Sequence, residues 1–343
     1  MPRPKTIVLT ALLSMCCATL FAQQPGTTIP ARTQTQPAVQ PQGVQPQAGQ
    51  TLPGAPMPPF VVPVEHQRWL DQVLAKWESD SNQVKNFSCE FERARYNING
   101  PDPNRVSLFA KEKGKLSYHK PDKGSFEIVE SLVWMPKSRP ATDPNQPVQP
   151  QPQQPLGEYA KPVDNKGNEL PGEHWVSNGK NIYQYRTHTD PKQLVVTPIP
   201  PDLQGENIVE GPLPFLFGAK AADLKERFWF EPAKDLCRDG YIGLHAKPKR
   251  QADAAEYSDV WVALRNEPGK PLMPAGIRIV YPSDPRQPMW DQFVFDLEGS
   301  NVNSMLASAM NSLFSEPTTP FGWKRVVEQM PQQAQASSGT QRQ

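Results

Sequence analysis

The sequence predicts an α+β fold: a single strongly curved antiparallel sheet, an open half-barrel, with helices covering its concave face. Three observations predict it. Apolar and polar residues alternate with period two through about ten runs joined by short turns, so consecutive strands run antiparallel. Helical apolar spacing is confined to a stretch at each end of the folded part and a short one between them. A sheet of that many strands leaves a broad face or edge open unless it curls, and helices in its mouth then cover the apolar side.

The segments outside the fold come first. Residues 1–22 read as a secretory signal: Arg3 and Lys5 form a basic start, Thr6–Leu20 is apolar, and Ala22 is a small residue at the cut. The apolar run of roughly 15 residues is short for a bilayer-spanning helix. Cys16 and Cys17 raise lipid attachment, but Met15 is a poor residue to precede a lipidated cysteine. Export to a periplasmic or secreted location is the expectation. Residues 23–60, 136–157 and 331–343 are Pro/Gln-rich or polar, part of a chain of 343 residues with 41 prolines and a mean hydropathy of −0.61. They bury too little apolar surface to offset their ordering entropy, and are expected to form a linker, a surface insertion and a tail. One domain remains over residues 61–330.

Its first element is a helix at about 65–79, with Trp69, Leu70, Val73, Leu74 and Trp77 on one stripe. Trp69, Val73 and Trp77 would make it a lid. The period then changes. Phe87, Cys89 and Phe91 face one way while Ser88, Glu90 and Glu92 face the other, so a strand starts near Val84. Asn99-Gly100-Pro101 turns the chain into a strand through Val106, Leu108 and Ala110. Lys113-Gly114-Lys115 turns or bulges it again, before Leu116–His119. In Ser125–Trp134, Phe126, Ile128, Leu132 and Trp134 are expected on one face with Glu130. Trp175–Thr197 reads as a three-strand meander whose first turn is Asn178-Gly179, both residues accepting positive φ. Asn207–Gly218 holds Leu213, Phe215, Leu216 and Phe217 among helix-breaking prolines. A short helix at 219–228 and five strand runs between Phe228 and Leu297 follow, and Ser304–Phe314 reads as a final amphipathic helix.

Charge and motifs exclude several functions. A net charge of +1 argues against a nucleic-acid face, and within the Lys111, Lys113, Lys115 run two lysines read as the solvated side of a strand. The histidines His66, His119, His174, His188 and His245 show no metal-ligand spacing, so neither a metal nor a cofactor is expected. No Gly-x-Ser-x-Gly and no phosphate-cradling loop occurs. Glu127 with Glu130, and Asp291 with Asp296, are carboxylate pairs of the kind any sheet surface supplies. The chain is expected not to be an enzyme. Cys89 and Cys237 remain after removal of the signal. A bridge between them would add about 4–5 kcal/mol in the entropic account, and two buried free thiols are the alternative.

The order of a helix, Phe87-Ser88-Cys89-Glu90-Phe91, Gly114-Lys115-Leu116 with Lys120-Pro121, an aromatic strand at Phe126 and the Trp175–Tyr185 hairpin resembles the LolA-like periplasmic lipoprotein carriers. The blocks Gly211–Gly218 and Ala222–Phe228 resemble an uncharacterised family of exported planctomycete proteins. The carriers hold an arginine before that proline to secure the lid; here the residue is Lys120, which cannot make a bidentate contact. The resemblance implies an incomplete barrel that shields acyl chains. Each methylene exposed to water costs about 0.8 kcal/mol, so a lipoprotein crossing water needs such cover. The candidate lining is Phe87, Phe91, Leu116, Phe126, Ile128, Trp134, Trp175, Phe215, Leu216 and Phe217, in a monomer that binds acyl chains or lipoproteins. A scaffold of the same fold that engages envelope proteins without a cavity is the alternative reading.

Overall fold

A computed structural model describes residues 58–102, 105–137, 156–164, 166–201, 204–205, 220–304 and 311–329. The signal, Cys16 and Cys17, most of the linker, the body of the 136–157 insertion, Phe215 to Phe217 and the tail lie outside them. Among the described residues no helix is long and apolar enough to cross a membrane.

Helix α1 (Val64–Gln83) turns Leu70, Val73, Leu74 and Trp77 inward and runs one turn further than its apolar stripe. It ends where Val84, itself buried, takes an extended conformation. Three long strands follow: β1 (Asn86–Asn97), β2 (Ser107–His119) and β3 (Lys123–Pro136). After β4 (Gly157–Ala160) come β5 (His174–Asn178), β6 (Asn181–Arg186) and β7 (Gln193–Pro198). Helix α2 (Ala221–Arg227) leads into β8 (Phe228–Pro232) and β9 (Tyr241–Pro248). Helix α3 (Gln251–Glu256) precedes β10 (Asp259–Arg265), β11 (Met273–Tyr281), β12 (Met289–Phe295), the short β13 (Asn301–Val302) and β14 (Lys324–Val327).

All these strands belong to one sheet, ordered β14-β7-β6-β5-β3-β2-β1-β12-β11-β10-β9-β8, with β4 on β3 and β13 on β1. Two meanders, β1 to β7 and β8 to β12, are therefore joined by the β1–β12 pairing. The ends β14 and β8 do not pair with each other, so the sheet is open. One pairing departs from the expected antiparallel pattern: β14 lies parallel to β7. Its four residues have no distinctive alternation, and it is held by position, through the bidentate Arg186–Glu328 pair at 2.7 and 2.8 Å.

Two local expectations change. The Lys113-Gly114 stretch is no turn: β2 is continuous, and the irregularity is a bulge in the β2–β3 register. Glu130 faces Lys113 while Ile128 faces Gly114, so Val129 is the extra residue and stands exposed. One extra residue inverts the alternation beyond it. Leu132 and Trp134 therefore turn to the outer face, where Trp134 meets Tyr159 edge-on at 5.4 Å. In the meander the two-residue loop is Gly179-Lys180, one residue later than expected. Gly179 alone has positive φ, +85°, and Asn178 accepts the Lys180 and Asn181 amides at 2.9 and 2.8 Å. A glycine at the first loop position is what a type II′ turn requires. The centre of the expected Ser304–Phe314 helix, residues 305–310, lies outside the described residues; Asn311–Phe314 form a short 3-10 turn.

Cys89 and Cys237 are free thiols, the first buried and the second exposed. Four strand spacings separate β1 from β9, against which Cys237 packs and whose Gly243 amide it accepts at 3.3 Å. Along the sheet that is about 19 Å, beyond the roughly 7 Å reach of a bridge. The body of the expected 136–157 insertion lies outside the described residues; at its two flanks Pro136 pairs with Gly157, and the Lys137 amide donates to the Leu156 carbonyl at 2.9 Å.

Candidate functional site

The inward face of β1 carries Phe87, Cys89, Phe91, Arg93 and Arg95 in phase. Strand alternation leaves no choice once Phe87 is inside: residues two apart share a face. The first three build an aromatic layer. Phe91 stacks on Phe126 at 5.0 Å and leans on Phe293 at 5.0 Å, and Phe126 stacks on Trp175 at 5.8 Å. Gly114 stands opposite Phe91, and a Cβ there would come within 2.2 Å of the ring, so glycine makes room for the stack. Leu116, Ile128 and Phe87 join the same cluster, as do Val73 and Trp77 of α1, with Trp69 packed at its margin.

Six of the ten expected lining residues thus come together in one contiguous core cluster: Phe87, Phe91, Leu116, Phe126, Ile128 and Trp175. Trp134 is excluded by the bulge. Phe215, Leu216 and Phe217 are outside the described residues.

Beyond this layer, toward one end of the strands, the same face becomes charged. Arg93 lies opposite Glu112 on β2 and Phe293 on β12, and Arg95 lies opposite Asp291. Arg93 Nε donates to Glu112 Oε2, and its Nη1 donates to Glu173 Oε2 at 2.9 Å. Ser131 Oγ donates to Glu112 Oε1 at 3.1 Å. Arg95 Nε reaches Asp291 Oδ1 at a long 3.4 Å. The Arg93 guanidinium also lies 5.8 and 5.6 Å from the Phe126 and Phe293 ring centres, a cation–π seam between the two layers. Tyr281, at the end of β11, faces the same group.

Burial governs the protonation of the cluster. It pushes the Asp291 carboxyl up to about 6, against the pull of Arg95 and Arg93. It also pushes the Tyr281 phenol well up, helped by Asp291. Burial works against the Arg93 charge, but Glu112, Glu173 and Asp291 more than offset it and hold the guanidinium ionised. Four buried polar atoms here have no hydrogen-bond partner among the described residues: Glu173 Oε1, Asp291 Oδ2, the Tyr281 hydroxyl and Trp175 Nε1. Arg95 and Glu173 are partly exposed, at 35% and 22% of their side chains, so the cluster meets solvent on that side.

Sequence reasoning missed Arg93, Arg95 and Glu112, although their phase carries the signal. Arg93 follows Phe91 by two, and Glu112 precedes Gly114 by two, so an apolar face runs straight into ionisable residues. Asp291 and Asp296 do not act as a pair: Asp291 turns inward, and Asp296 accepts the Glu298 and Gly299 amides of a turn. Lys111, Lys113 and Lys115 are all on the solvated face. The Lys120 ammonium donates to the Asn82 carbonyl in the last turn of α1 at 3.2 Å, a single contact to the helix.

A second polar group lies on the outer face of β8 to β10. His245 bridges Glu231 and Asp259 at 2.8 Å each and stacks on Trp261 at 4.4 Å. Among the described residues no group of His, Cys, Asp and Glu has the geometry to hold a metal ion.

No protein-family model matches the chain, and no curated protein matches it. Several solved structures are similar at low levels. Among them are an uncharacterized conserved protein from Thermus thermophilus (8% identity, TM-score 0.34, 75% of this chain and 98% of that one), a LolA superfamily protein from Nitrosomonas europaea (8%, 0.30, 72% and 97%) and a DUF1329 family protein from Desulfovibrio piger (10%, 0.30, 71% and 98%). Likenesses at this level say nothing about ligand or partner.

Proposed function

We propose that this chain is an exported, monomeric, non-enzymatic binding protein for lipidated or otherwise amphiphilic ligands, acting as a carrier in the cell envelope. The observation that carries the reading is the gradient along the inward face of the sheet. Aromatic and aliphatic side chains occupy one part, and a solvent-reachable cluster of arginines and carboxylates begins two residues further along the same strand. An alkyl chain matches the first and a polar head the second. α1 is the cover in this proposal, lying over the concave face. It is held by an apolar stripe and a few polar clasps: Ala221 N to Glu78 Oε2 at 3.0 Å, Leu272 N to Asp80 Oδ2 at 2.7 Å, and the Lys120 contact.

Titration of delipidated protein with a fluorescent fatty acid or lipopeptide tests this. Saturable binding, displaced by unlabelled ligand, is expected. A signal that rises linearly without saturation sinks the proposal. The direct packing of Phe91, Phe126 and Phe293 favours the second reading, a scaffold with a filled interior. That reading expects no saturable binding and envelope proteins retained by residues 23–60 in pull-downs.

A further inference from the structure

The charged cluster is unbalanced. Among the described residues it holds three carboxylates, Glu112, Glu173 and Asp291, against two guanidiniums, Arg93 and Arg95. Its unsatisfied atoms are also biased. Two are carboxylate oxygens, Glu173 Oε1 and Asp291 Oδ2, which only accept when ionised, and a third is the Tyr281 hydroxyl, which can do either. Asp291 is only 4% exposed, so its free oxygen is withdrawn from water and its lack of a donor is costly. Glu112, by contrast, is used at both oxygens, by Arg93 and Ser131. What the cluster lacks is therefore one positive charge bearing several N–H donors. An ammonium group supplies both, with three donors on a compact cation. A carboxylate or phosphate would instead place a second excess negative charge beside Asp291 and Glu173.

On the amphiphile-binding reading above, we infer that the ligand's head is a protonated amine, seated between Glu173, Asp291 and Tyr281, with its alkyl chain against the Phe91–Phe126–Phe293 layer. The partly exposed Glu173 and Arg95 mark the side from which it enters. The same chemistry is offered by an aminolipid head and by the lysine of a lipopeptide.

The test compares three single-chain probes of equal length, each below its micelle concentration: dodecylammonium, dodecyl sulfate and dodecyl maltoside. Dodecylammonium is expected to bind about tenfold or more tighter than either of the others. Glu173→Gln and Asp291→Asn should each lower dodecylammonium affinity far more than maltoside affinity, removing most of that preference. Glu173→Gln, at the rim, keeps the test decisive should Asp291→Asn fail to fold. Equal affinity for all three heads, or a preference for the sulfate, overturns the amine assignment while leaving amphiphile binding standing. Binding of none overturns both. A lysophospholipid with an ethanolamine head and a lysine-bearing lipopeptide, each against its N-acetylated form, then show which source fits. Loss of affinity on acetylation in either supports the assignment, and no loss in both overturns it.

Discussion

Asp291 is the residue whose protonation is most open to measurement. Its folded value of about 6 lies above its ordinary 3.8, because burial outweighs the guanidiniums of Arg95 and Arg93, with Glu112 and Glu173 adding repulsion. Between about pH 4 and 6 the folded chain therefore holds a proton that the unfolded chain has released. The stability this contributes is full below pH 4 and is lost as pH rises through 6, because the state binding more protons is favoured by acid. Comparing urea unfolding of wild type and Asp291→Asn at pH 4 and pH 7, the variant should gain on the order of 1–3 kcal/mol relative to wild type at the higher pH. A pH-independent difference would show that Asp291 titrates normally. Arg93 makes the opposite case. It is 3% exposed and stands between Glu112 and Glu173. Removing one member of a buried ion pair leaves the other charge uncompensated, so Arg93→Ala should cost about 3–5 kcal/mol in the same assay, and adding Glu112→Gln should recover part of it. Additive losses would mean that the two side chains do not communicate.

At the scale of elements, α1 is the cover that the proposed function requires to move. Its Trp77, 3% exposed, is the largest side chain it contributes to the core. Trp77→Ala should lower stability by about 3–5 kcal/mol, read as an earlier urea midpoint. On the proposed reading the head enters beside Glu173 and Arg95, and the packed rings give the alkyl chain room only if α1 shifts, so amides of α1 should exchange faster in the loaded protein while those of β1 and β2 are unchanged. Protection that increases in α1 on loading would place the ligand elsewhere. Much of this element was legible, because Trp69, Val73 and Trp77 repeat at helical spacing with polar residues between them. Its last turn was not. That turn is anchored by Asn303, 220 residues away, which donates to the Gln83 carbonyl at 2.9 Å and accepts the Lys85 amide at 2.6 Å.

At the scale of the whole molecule, the sheet has two ends, and β14 covers one of them. Ending the chain at residue 315 removes β14, its Arg186–Glu328 pair and the Tyr185–Trp323 contact at 5.8 Å. That leaves the β7 edge open, and open edges pair with other chains. A Tm lower by about 2–4 °C for each kcal/mol lost and self-association in size-exclusion chromatography are expected; an unchanged Tm and elution volume would mean that β14 protects nothing. Local alternation by itself determined the strand-rich class, the long meanders, the first helix, and which residues of β1 face inward, since side-chain direction in a strand depends only on position. It did not determine that Trp134 faces out, because the bulge at Val129 arises from pairing with β2 and leaves no local mark. Nor did it determine the joining of β1 to β12, which sets Arg95 against Asp291, 196 residues away in the chain, or the meeting of Arg93 with Glu173, 80 residues away on the other side of β1. Those contacts belong to the tertiary structure, because a buried charge is tolerated only where the fold brings it a partner.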